Sequence, residues 1–298
     1  MNTYHGQSSV TSISAAGLGA LQRRAQSGRA AAALAARGKG RVLVLGHRGS
    51  PGPHRPENSV AAVTASFLRG ADGVEVDVRL TGDGVLVCSH GPAVRSASGQ
   101  WVAVSGTGWE DLRRARELGH TGAASLAEVL LAVRRHGSRR VIVEAKPVDD
   151  AALVARTAAA LGSVLAAAGP FVDVTVSSFD PALLLRIRRA VGTDAVRTAL
   201  LGETGTPAHA LLRRALEDGH DEIHPSLPDL CAAPHAVGAA RALGVGVTVW
   251  TVNAPPDLTR MADLGVEAVV TDDVPGASAT LRDHAAVPAL RQVRSAAS

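Results

Sequence analysis

At 298 residues the chain suits one domain of barrel size, about 250 residues, with modest extensions better than it suits two ordinary domains. Apolar residues make up 46% of it and aromatics only 2%, a composition that excludes disorder over the main body and requires a core of many small aliphatic contacts. Residues 1–56 hold eight Lys or Arg and no acid, against 23 basic and 27 acidic residues in the remainder, and this weakly acidic body, with one Tyr and three Trp, excludes the basic, aromatic-rich face of a nucleic-acid reader.

In chain order, residues 1–40 mix Ser, Gly, Ala and Arg and read as a basic tail, with at most a short helix across 18–36 and the capacity for weak contact with anionic membrane surfaces. The longest candidate signal core, Ala30 to Ala36, is too short and too rich in alanine, and no run approaches 18 apolar residues, so neither a leader nor a transmembrane segment is expected. Cys88 and Cys231 lie far apart without a metal-binding spacing; the expectation is a reducing, cytoplasmic setting.

From Arg41 onward, short β-branched runs alternate with Ala/Leu/Arg stretches of helical character, the texture of a parallel α/β fold. The candidate strands are 42–45, 74–78, 85–89, 141–144, 172–177, 196–200, 222–224, 245–252 and 268–271. Only Arg79 to Gly84 separates the second from the third, too little for a parallel crossover, so those two form a hairpin. Setting the hairpin strand aside leaves the eight strands that a TIM (β/α)8 barrel requires. The linking helices fall near 59–68, 125–135, 151–168, 181–190, 207–216, 234–242, 256–264 and 274–284, four of them opening on Pro, where its missing N–H costs nothing. The barrel therefore spans 41–284, with a hairpin-containing insertion at about 79–124 whose stretch from Gly91 to Gly122 reads as a loop or cap, and 285–298 reads as a frayed C-terminal tail.

His47-Arg48-Gly49 follows the first strand directly, at the C-terminal mouth where barrel enzymes carry their chemistry. A lone histidine more often serves structure, and on that ground the histidines elsewhere, His54 and His220 among them, go to surface or loop. Glu75 and Asp77 stand two apart in one strand and share its inward face, while Val74, Val76 and Val78 face the helices. Paired buried carboxylates need a cation, a Lys or Arg partner, or a shared proton. Glu144 ends the next barrel strand and adds a third carboxylate, with Lys146 two residues on. A buried Glu/Lys network is the structural alternative, but three acids against one lysine leave excess negative charge and favour a metal. All-oxygen ligands point to Mg²⁺ or Ca²⁺, with Mn²⁺ a further option, rather than zinc. His90 closes the hairpin strand, which returns it toward the same mouth, so two histidines flank the acids as an acid and a base suited to phosphoryl transfer.

In order, His47-Arg48-Gly49, Pro56-Glu57-Asn58-Ser59, Glu75-x-Asp77-Val78-x-x-Thr81-x-Asp83-Gly84, Val87-x-x-His90, Glu144-x-Lys146, Ser177-Ser178-Phe179, Trp250-Thr251-Val252-Asn253 and Gly265-Val266 to Thr271-Asp272 resemble the motif set of the glycerophosphodiester phosphodiesterases. The resemblance implies hydrolysis of glycerophosphodiesters to glycerol 3-phosphate and an alcohol. It implies His47 and His90 as the acid/base pair, and Glu75, Asp77 and Glu144 as ligands to a divalent cation. Arg48 would hold phosphate oxygens, Lys146 would balance phosphate charge, and Trp250 with Asn253 would line the glycerol side. Glu57 and Asn58 have two readings of equal weight, a role in the site or a helix N-terminus with capping and an acid near its positive end.

One position departs from the motif set: Gly91 stands after His90 where the family usually has Asp. A lysophospholipase D-like or phospholipase D-like barrel acting on lipid head groups is the nearest alternative, and a small insertion with few greasy residues argues for a small diester instead. A binding barrel that has lost activity is the other; retention of both histidines and all three acids argues against it.

Overall fold

The computed structural model describes residues 41–137, 139–169, 173–191 and 196–296. The basic tail expected over 1–40, with its short helix, lies outside the described residues.

Eight parallel strands close into a ring: β1 (Leu43–Gly46), β2 (Gly73–Leu80), β6 (Arg140–Ala145), β7 (Asp173–Ser178), β8 (Arg197–Leu201), β9 (Glu222–His224), β10 (Gly246–Val249) and β11 (Ala268–Thr271). β1 pairs with both β11 and β2, which shuts the barrel. β3 (Leu86–Cys88) hangs antiparallel on the far part of β2, with Val78 opposite Cys88 and Leu80 opposite Leu86, the hairpin that the short connection demands.

The strands are buried on both faces and read as valine-rich runs. Along β2, Val74, Val76 and Val78 are fully buried in the continuous layer that the outer helices cover. Inside the ring, Leu45, Ile142, Ala268 and Val270 make a separate small cluster. Below the mouth the interior is charged: Arg140 pairs with Glu222 and lies 3.5 Å from Glu267, and Arg197 is 3.5 Å from Glu222.

The helices of the repeat are α1 (Val60–Leu68), α3 (Leu126–Arg135), α4 (Ala151–Ala168), α5 (Pro181–Val191), α6 (Ala208–Asp218), α8 (His235–Ala242), α9 (Pro255–Leu264) and α10 (Val274–Ala296). α2 (Trp109–Glu117) belongs to the insertion and α7 (Leu227–Ala232) is a short extra turn after β9. Three of the repeat helices start on clear side-chain caps: Ser59 accepts from Ala62 N, Ser125 forms a full capping box with Glu128, and Asp150 accepts from Leu153 N. Among the described residues one helix, α4, is long and apolar enough to cross a membrane by length and composition. It buries Val154, Leu161 and Leu165 against the barrel, and its Arg156 donates to the Gly82 carbonyl.

Three expectations need correction. The stretch expected as a loop or cap is ordered: β4 (Ala93–Arg95) pairs with β5 (Trp101–Ala103), and α2 follows. Val87, Val94, Val104 and Leu112 give it a core of its own, which the short, broken runs in its sequence conceal. The last helix continues through the expected C-terminal tail to Ala296, because Ala, Leu and Arg are good helix formers. His220, assigned to surface or loop, does stand in the loop before β9, but it is fully buried there and lies 3.1 Å from Thr198 Oγ1 through Nδ1.

Candidate active site

The turn after β1 carries the first groups. His47, Arg48 and Gly49 form one 3-10 turn in which Arg48 has φ 49° and Gly49 φ 75°. A side chain at Gly49 would lie 2.8 Å from the backbone of Val63, so the close approach of α1 calls for glycine. The turn aims Arg48 N at Glu75 Oε2, 3.0 Å away, and sets His47 at the mouth. His47 Nδ1 lies 2.7 Å from Asp272 Oδ1. Asp272 is itself held by Asn253, whose amide donates to Asp272 Oδ2 at 2.8 Å while its oxygen accepts from Asp272 N and the Thr271 hydroxyl, both at 2.9 Å.

Register brings the acids together. Asp77 pairs with Glu144, and Glu144 with Ser177, across β2, β6 and β7. One carboxylate oxygen from each of Glu75, Asp77 and Glu144 lies within 4.8 Å of the others, and all three residues are buried. Lys146 Nζ is 2.6 Å from Asp77 Oδ1 and also pairs with Glu144. Asn58, with φ 60°, clamps Asp77 twice, donating Nδ2 to Oδ2 at 2.8 Å and accepting from its backbone N at 3.0 Å. Arg48 Nε lies 3.5 Å from the same Asp77 oxygen, while its Nη1 donates to Glu57 at 2.7 Å.

Glu75 Oε1 is buried without a hydrogen-bond partner among the described residues. An orphaned acceptor beside two further carboxylates is what a hard cation satisfies, and the all-oxygen set fits Mg²⁺, Ca²⁺ or Mn²⁺. Burial, reinforced by Asp77 and Glu144, pushes the Glu75 carboxyl well above the usual range, and burial raises Glu144 despite Lys146. Burial acts in the same direction on Asp77 but is outweighed by Lys146, Asn58 and Arg48, which leave it below its ordinary value. Burial and the charge of Lys146 lower His90, and the hydrogen bond from His47 lowers Asp272.

These groups line one cavity of about 260 Å³, at the small end of ligand pockets, which run to roughly 300–1,000 Å³. His47, Arg48, Glu75, Asp77, His90, Glu144, Lys146 and Trp250, each singled out from sequence, all border it. Glu57 and Asn253 do not. Glu57 is a partner of Arg48 rather than the capping acid of α1, whose cap is Ser59. Asn253 was expected on the glycerol side, but Asp272 and Thr271 occupy its amide. Asn58, Phe179, Asp272 and His224 carry no definite role in the sequence reading, Asn58 sharing only the two readings of Glu57. The first three stood inside recognised motifs, and an Asn directly before a helix cap is a usual left-handed residue; nothing in the sequence marked His224.

The sequence model of the Glycerophosphoryl diester phosphodiesterase family matches residues 47–275. A Mycobacterium tuberculosis protein named "Probable glycerophosphodiester phosphodiesterase 1" is 33% identical over 264 residues, covering 82% of this chain and 94% of its own. A glycerophosphodiester phosphodiesterase of Caldanaerobacter subterraneus is 28% identical over 240 residues, 78% of this chain and 95% of its own. Among solved structures, the glycerophosphodiester phosphodiesterase of Thermotoga maritima aligns with TM-score 0.62 at 25% identity, over 78% of this chain and 96% of that one. An Oleispira antarctica phosphodiesterase, solved in complex with the product sn-glycerol-3-phosphate, shares the fold at TM-score 0.69 and 21% identity, over 81% and 97% of the two chains.

Proposed function

The chain belongs to the glycerophosphoryl diester phosphodiesterase family and is a phosphoric diester hydrolase, and on that premise we propose that it releases glycerol 3-phosphate and an alcohol from small glycerophosphodiesters, as a cytoplasmic, divalent-cation-dependent enzyme. The observation that carries the reading is the convergence of three buried carboxylates, two histidines, Arg48 and Lys146 on one small cavity.

Glu75, Asp77 and Glu144 hold the cation, Mg²⁺ or Ca²⁺ with Mn²⁺ as a further candidate; when bound, it offsets phosphate charge and polarises a phosphoryl oxygen. Arg48 and Lys146 add positive charge at the same end, where the equatorial oxygens of the transition state gather charge. His47 donates Nδ1–H to the Asp272 carboxylate, which orients the ring and leaves Nε2 to protonate the leaving oxygen. His90, kept neutral by burial and by Lys146, takes the proton of the attacking hydroxyl, either the substrate's own glycerol hydroxyl or water. Asn253 and Asp272 are positioning residues for His47, and Trp250 gives the glycerol unit an apolar wall.

The test is release of glycerol 3-phosphate from a panel of glycerophosphodiesters, choline, ethanolamine, inositol and glycerol esters, in the presence of Mg²⁺, Ca²⁺ or Mn²⁺. Release from at least one of them is expected; no release from any overturns the reading.

A further inference from the structure

Three polar side chains of the cavity take no part in that chemistry. Ser177 and Thr248 are fully buried, border the cavity, and have hydroxyl oxygens without a hydrogen-bond partner among the described residues. Buried hydroxyls left unsatisfied cost free energy, so two lining one cavity point to a ligand that supplies the missing partners.

His224 stands beside Thr248: Val247 pairs with Ile223, which brings Thr248 alongside His224 on the neighbouring strand. It is buried, borders the cavity, and its Nε2 lies 3.2 Å from Glu222 Oε2. Burial opposes charge on Glu222, but Arg140 and Arg197 outweigh it and hold the carboxyl well below its usual range. An ionised carboxylate only accepts, so Nε2 carries the proton; burial keeps the ring neutral, which leaves a lone pair on Nδ1. No described residue donates to that nitrogen.

The ring runs β1, β2, β6, β7, β8, β9, β10, β11, so β9 stands opposite β2 and His224 faces Glu75 and Asp77 across the lumen. Between them Trp250 donates its indole N–H to the His224 carbonyl at 3.0 Å and meets the Phe179 ring edge-on at 5.7 Å. That side wall therefore offers the ligand aromatic surface rather than a donor.

We propose that His224 is a specificity-determining residue that, with Thr248, reads the glycerol hydroxyl farthest from phosphorus, accepting a hydrogen bond from it at Nδ1. The inference rests on the glycerophosphodiesterase reading above. With the phosphate at the carboxylate side and the carbon chain along Trp250, the terminal hydroxyl is the group that reaches the far strand.

The experiment compares kcat/KM of the full chain, with cation, on glycerophosphocholine and on the phosphocholine ester of propane-1,2-diol, which keeps the hydroxyl next to the phosphoester and lacks only the terminal one. The native protein should prefer glycerol by at least about tenfold, the worth of a hydrogen bond in a site built to receive it. In His224→Leu and in Thr248→Val, which removes one hydroxyl at nearly constant shape, the preference should fall toward one. Thr248→Val carries the test alone if His224→Leu does not fold. A native protein that treats the two esters equally, or variants that keep the full preference, overturns the inference. Failure of the native protein to cleave either ester overturns the reading beneath it instead.

Discussion

Glu75 and Asp77 share a strand face, yet their neighbours drive them apart. Asp77 receives Asn58, Lys146 and Arg48 and stays ionised; Glu75 receives one backbone N–H and keeps a bare oxygen. With its pKa held down, His90 as the proposed base should act below imidazole's usual pKa of about 6.5, so the acid limb of kcat/KM should lie on the acidic side of that value; a limb above it contradicts the assignment. His47→Ala and His90→Ala should each lower kcat by roughly 10²–10⁴-fold on an alkyl diester with cation affinity nearly unchanged. A nitrophenyl ester, whose leaving group needs no proton, should rescue the first variant and not the second. Equal rescue of both removes the paired acid/base account. At the barrel floor, Glu222→Gln leaves Arg140 and Arg197 facing a neutral amide, and by the usual cost of breaking a buried pair should destabilise the protein by about 3 kcal/mol in a denaturation titration. The sign with pH follows from a depressed pKa: the native glutamate stabilises above its unfolded value of about 4.3 and that stability is lost as pH falls through the folded value. The variant's melting temperature should therefore fall less steeply on acidification, and a parallel fall in both proteins contradicts the ion-pair account.

At the scale of elements, the insertion shows how a motif residue can serve the frame. α2 starts after Gly108, which has no side chain to cap it, and Asp83 from the β2–β3 turn reaches over to accept from Trp109 N at 3.0 and 3.1 Å. Thr81 in turn donates its hydroxyl to Asp83. Asp83→Ala should cost about 0.5–2 kcal/mol, the worth of an N-cap, and raise amide exchange in 109–117 before the barrel strands; unchanged exchange there contradicts the capping role. The strands and most linking helices were legible because burial on both faces and the 3.6-residue stripe leave periodic marks. The carboxylate cluster was legible because alternation in β2 fixes which side chains face inward. The ordered insertion was not, since its three-residue strands are too short to show a period. Nor were the second roles of Asn253 and Asn58, because each depends on a partner 18 or more residues away that only the folded barrel brings near.

Taken whole, the molecule separates stability from chemistry along the barrel axis. Aliphatic layers between sheet and helices and an Arg/Glu layer at the floor hold the ring, while the C-terminal mouth collects like charges that oppose folding unless a counter-ion joins them. Lys146 supplies one positive charge to Asp77 and Glu144, and nothing described supplies one to Glu75 Oε1. A divalent cation completes the balance, which makes cation dependence the claim on which the account turns. The most direct measurement is the rate of glycerol 3-phosphate release from the best cleaved diester, followed through stripping with excess chelator and add-back of the cation, for the native protein and for Glu75→Gln. The account predicts loss of release on stripping, recovery on add-back in the native protein, and weakened recovery that needs more cation in Glu75→Gln. Full turnover in excess chelator, or identical cation requirements in the two proteins, would contradict it.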